Sequence, residues 1–156
     1  MLQKLTNFIT EKAFYLYFFL MLLFYFGYTL LWNHRLNMSE HWQSRNFLTE
    51  GDFETITRFG KLTDGFEVMF YILFALISIV YFFRINKDRK DSSIVKQYFF
   101  GHTFLFITVV ALSFIISLIT NVPIYNLLSL LFLPISIFVV FLSYMLFGLI
   151  KLRLAN

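Results

Sequence analysis

Four long apolar runs, each free of charge in its central part, constrain this chain more than any other feature. They cover residues 13–32, 66–83, 98–119 and about 125–150. A helix needs about 20 mostly apolar residues to cross the hydrocarbon core of a bilayer. Lipid offers a backbone no hydrogen bonds, so each run is expected as a helix, although its Phe, Ile and Val would favour strands in water. The runs do not alternate apolar and polar residues, which argues against a barrel. Composition agrees: 59% of the 156 residues are hydrophobic and 14% are charged, whereas a soluble domain carries about 25% charged residues. The sequence therefore reads as an all-α integral membrane protein, a single membrane domain over 1–156 with four transmembrane helices.

The N-terminal run follows Lys4, Glu11 and Lys12. It is too long and too aromatic for a secretory h-region, and no small-x-small cleavage site follows it, so it is read as a retained anchor. Lys4 and Lys12 precede the first run, Arg84, Lys87, Arg89, Lys90 and Lys96 lie between the second and third, and Lys151 and Arg153 follow the fourth. The 33–65 connection offers Arg35, Arg45, Arg58 and Lys61, offset by Glu40, Glu50, Asp52, Glu54 and Asp64, with Glu67 just beyond. The positive-inside rule then places both termini in the cytoplasm, giving two hairpins with the 33–65 segment outside, in the periplasm or the equivalent space. Thr120-Asn121-Val122-Pro123 suits the tight turn of the second hairpin.

The outer segment has patterning of its own. Ser39 suits the cap of a short helix through Asn46. Phe53, Ile56, Phe59 and Leu62 recur at helical spacing, which fits a helix lying in the interface, with an irregular loop as the alternative. Thr63 or Asp64 would then cap the second span, and Glu67 would sit near a helix N-terminus, where the dipole favours an acid.

Few residues suggest chemistry. His34, His41 and Glu40 invite a zinc or copper site, but Glu40 adjoins His41 and would project about 100° away from it on a helix. Trp32, His34 and Trp42 read instead as interfacial anchors. His102 reads as a hydrogen-bonded histidine near the cytoplasmic surface, since a proton relay needs ionisable groups at depth and the spans have none. The basic cluster Arg84, Lys87, Arg89 and Lys90 suits anionic lipid better than sequence-specific nucleic-acid binding. Ser129, Ser136 and Ser143 recur every seven residues, while Ser113 and Ser117 form a small-xxx-small pair. Both patterns point to a contact between helices 3 and 4, the alternatives being bonds to i−4 carbonyls or a pore lining. Pro134 should kink or loosen the fourth run near Leu130. The chain has no cysteine, and no phosphate loop, carboxylate pair or Ser-His-Asp set is visible. No enzyme activity, metal or cofactor is expected.

Phe24-Tyr25-Phe26-Gly27-Tyr28 resembles the Tyr-Trp-Phe-Cys-Tyr motif of Bacteroidetes-type conjugative mobilisation and coupling proteins. Phe26 and Tyr28 agree with it, and the Trp and Cys are absent. Four spans, a long first outer segment, a basic second connection and the C-terminal stretch "LIKLRLAN" also resemble the N-terminal membrane region of that family. The resemblance implies an anchor for a cytoplasmic DNA-pumping ATPase.

The functional expectation is a non-catalytic membrane anchor or scaffold subunit, oligomeric, whose partners are lipids and other subunits or such an ATPase. A small oligomeric channel, transporter or holin-like pore is the alternative. A lipid-active enzyme using the outer His and Glu residues is a third class.

Overall fold

The computed structural model describes residues 2–43, 49–87, 92–120 and 122–154. The order is α1 (Leu2–Gln43), α2 (Glu50–Lys87), α3 (Ser92–Ile119), α4 (Ile124–Ser129) and α5 (Phe132–Leu154), with no strand among the described residues. Four helical stretches are long and apolar enough to cross a membrane, the fourth running from Ile124 to Gly148.

The first two helices overrun the spans expected of them. At 1.5 Å per residue, the 42 residues of α1 and the 38 of α2 reach about 63 and 57 Å, roughly twice the hydrocarbon thickness. Between Tyr28 and Gln43 there is no Gly or Pro, so nothing ends α1 at Trp32. Among its described residues the 33–65 segment accordingly holds no separate interfacial helix. Ser39 lies inside α1, and Phe53–Leu62 lies inside an α2 that continues into the second span.

The start of α2 is set by a capping box at Thr49 instead of by Thr63 or Asp64. Thr49 Oγ accepts from the Asp52 backbone N–H at 3.2 Å, while the Asp52 carboxylate accepts from the Thr49 backbone N–H at 3.0 Å and from its hydroxyl at 2.7 Å. Thr63 instead turns its hydroxyl back onto the Phe59 carbonyl. Glu67 lies in the middle of α2, so a helix dipole does not account for it.

The fourth run breaks where Pro134 requires. A proline at that position has no N–H for the Leu130 carbonyl. The chain tightens there, Leu131 donating to Leu128 at 2.9 Å, and α5 begins at Phe132.

The chain divides into two compact units, one of residues 1–70 with 116–123, the other of 71–115 with 124–156. In the first, Tyr17, Met21, Tyr25 and Tyr28 are buried at helical spacing along one face of α1. Phe24 meets Phe66 of α2 with ring centres 6.2 Å apart, and His34 meets Phe59 at 4.6 Å. Gly27 lies against the Phe66 ring, so close that a Cβ there would overlap it.

In the second unit α2, α3 and α5 share a core of Tyr81, Ile85, Ile94, Val95, Tyr98 and Met145, flanked by Phe138, Phe141 and Leu142. Large apolar side chains cover the outside instead: Phe100, Phe132 and Phe147 are all exposed. Ser78, His102 and Ser113 are fully buried. Polar groups inside and phenylalanines outside suit lipid as the solvent and would be costly in water.

Candidate functional site

Two places in the fold concentrate polar and aromatic side chains. The first is a cleft in the first unit, where α1 contributes Trp32, Arg35, Ser39 and Trp42 and α2 contributes Ile56 and Phe59, around a volume of about 200 Å³. Positions 32, 35, 39 and 42 are separated by three or four residues, so an uninterrupted α1 presents them on one face. Trp42 is buried and Trp32 half-buried. The Arg35 guanidinium lies 5.0 Å from the centre of the Trp32 ring, within cation–π range. The same group faces Gly60 of α2, 3.9 Å from where a Cβ would stand. Among the described side chains no carboxylate pairs with it.

The second place is the core of the other unit. Ser78 donates its hydroxyl hydrogen to the Phe74 carbonyl at 2.9 Å. That hydrogen is then committed, so the Tyr98 hydroxyl donates to Ser78 Oγ across 3.0 Å. His102 Nδ1 donates to the Tyr98 carbonyl at 2.8 Å. The His102 ring is enclosed by aromatic rings, with centres 4.3 Å away for Tyr98, 4.9 Å for Phe74 and 6.0 Å for Phe138. A carbonyl accepts and cannot donate, so the contact fixes the tautomer with the proton on Nδ1. His102 is thus a hydrogen-bonded histidine, as expected, and one that is buried in the core, bonded within α3 and packed by its ring against Phe74 of α2 and Phe138 of α5.

The structure gathers some of the sequence-selected residues and separates others. Trp32 and Trp42 share the cleft, and His34 packs on Phe59 beside it. Ser113 is buried, and its hydroxyl donates to the Val109 carbonyl at 2.8 Å. Ser129 donates to Asn126, and Ser136 donates to Phe132 while remaining exposed. Ser143 is exposed and Ser117 half-buried. Arg84 lies 5.9 Å from the Tyr81 ring, and Lys87 is exposed at the end of α2. Arg89 and Lys90 fall outside the described residues.

Sequence reasoning missed Ser78 and Tyr98. Their signals were present: a lone serine amid the second apolar run, and a Tyr-x-x-x-His spacing that stacks residues 98 and 102 on one face of α3.

No family model matches the chain, and neither a curated protein nor a solved structure does.

Proposed function

We propose that the chain is a non-catalytic anchor or scaffold of a larger membrane complex. It would cross a bacterial inner membrane as two hairpins with both termini in the cytoplasm. The observation that carries this reading is the filled core of the second unit. Phe74, Tyr81, Tyr98, His102 and Phe138 pack together between α2, α3 and α5, and Ser78 Oγ, the Tyr98 hydroxyl and His102 Nδ1 bond to helix carbonyls or to one another. Such a core fixes helix positions and supplies no polar path for a solute. The resemblance of 24–28 and of the overall layout to conjugative coupling proteins extends the proposal. The cytoplasmic C-terminus would then join, or meet, an ATPase that moves DNA.

One observation favours a second reading. Ser136 and Ser143 are exposed on α5, and a ring of several copies could turn these hydroxyls toward a lumen. Reconstitution in liposomes separates the two. The anchor reading predicts ion flux equal to that of empty liposomes. Reproducible flux that scales with protein content would replace it with the channel reading.

A further inference from the structure

We propose that the cleft between α1 and α2 is a binding site for the phosphate headgroup of an anionic phospholipid. The proposal deepens the anchor reading, and it rests on α1 crossing the membrane with Trp32 at the boundary.

The argument starts from depth. The apolar run of α1 ends at Trp32, and Arg35 stands three residues further on, the first formal charge after that run. Three residues of helix rise about 4.5 Å, which sets the guanidinium at headgroup level when Trp32 marks the edge of the hydrocarbon. Phosphates, not acyl chains, are the lipid groups found at that depth.

Geometry and charge come next. The cleft of about 200 Å³ is too small for a whole lipid and has the scale of a headgroup. Trp32 forms an apolar wall at the hydrocarbon edge that a glycerol or upper acyl segment can contact, Trp42, Ile56 and Phe59 close the rest of the cleft, and Ser39 adds a hydroxyl. Arg35 is half-buried against Trp32. A cation–π contact through its Cζ leaves the guanidinium N–H groups able to donate, the groups that bind phosphate in a fork. Among the described side chains no carboxylate competes for it. His34 and His41, both exposed on the same stretch of α1, can add hydrogen bonds from the rim but do not line the cleft.

Both tryptophans of the chain line this cleft, so intrinsic fluorescence reports on it without a label. The experiment uses the full chain in phosphatidylcholine nanodiscs. Either phosphatidylglycerol or phosphatidylcholine is added with brominated acyl chains, at matched mole fraction. The proposal predicts quenching by both lipids, with the phosphatidylglycerol more effective by roughly fivefold, the ratio one cation supplies at an anionic interface. Arg35→Gln should remove that preference and keep the phosphatidylcholine quenching of the parent, which also shows that the variant has folded. Arg35→Lys should retain only part of it, because an ammonium lacks the fork. Equal quenching by the two lipids in the parent would overturn the headgroup site while leaving the boundary placement intact. Quenching by neither would overturn the boundary placement itself. A preference erased by millimolar inorganic phosphate would make the cleft a free-anion site and overturn the lipid assignment.

Discussion

The Tyr98 hydroxyl donates to Ser78 Oγ across 3.0 Å, and the same serine donates to the Phe74 carbonyl one turn back on α2. A chain of hydroxyl to hydroxyl to carbonyl therefore ties α3 to α2 inside an aromatic core. In a membrane the apolar side chains of a helix gain little from leaving lipid, so packing and such bonds carry more of the specificity.

This link should be measurable as a coupling. Tyr98→Phe deletes the donor and keeps the ring, and Ser78→Ala deletes the acceptor. Each single variant should cost about 1 kcal/mol, and the double variant should cost less than the sum, by about 0.6 kcal/mol. Reversible unfolding in bicelles, run as a double-mutant cycle, reads the difference. Strict additivity would mean that the bond contributes nothing. Tyr98→Ala, which also empties the core between α2, α3 and α5, should cost about 3–5 kcal/mol.

Gly27 permits the close approach of Phe66. Gly27→Ala would drive a methyl group into the ring, and the expected loss is about 1–3 kcal/mol. Phe66→Leu should recover part of that loss when combined with Gly27→Ala. A Gly27→Ala variant as stable as the parent would show that Phe66 moves aside freely.

The capping box at Thr49 and Asp52 should govern how α2 begins. Thr49→Ala is expected to cost about 1 kcal/mol locally, seen as faster hydrogen exchange at the amides of Asp52 and Phe53. Both amides bond to Thr49, the first through its side chain and carbonyl and the second through its carbonyl. Asp52→Ala should give much of the same change, and adding it to Thr49→Ala should add little, because the two residues satisfy one motif. Unchanged exchange in both variants would place the start of α2 elsewhere.

The apolar runs were legible in the sequence because hydrophobic length is a strong, local signal, and the break at Leu130–Leu131 was legible because Pro134 removes a specific donor. The continuation of α1 and α2 beyond the runs was not. Asn33, His34, Asn37 and Ser39 look like the end of a helix, yet none of them is a breaker, and the cleft residues of both helices pack together there. The two tryptophans read in the sequence as boundary residues, whereas their meeting in one cleft needed that continuous α1. The Ser78–Tyr98 pairing was hidden for another reason, since it joins residues 20 apart on different helices and no periodicity reveals which faces meet.

The most direct test of the account is the side of the membrane on which two connections lie. The chain lacks cysteine, so Thr57→Cys and Ser92→Cys, both at exposed positions, each introduce one reporter. Thr57 should react with an impermeant maleimide in intact spheroplasts, and Ser92 only after the cytoplasmic face is opened. Both cysteines reacting from the same side would contradict the four-span arrangement and the anchor reading built on it.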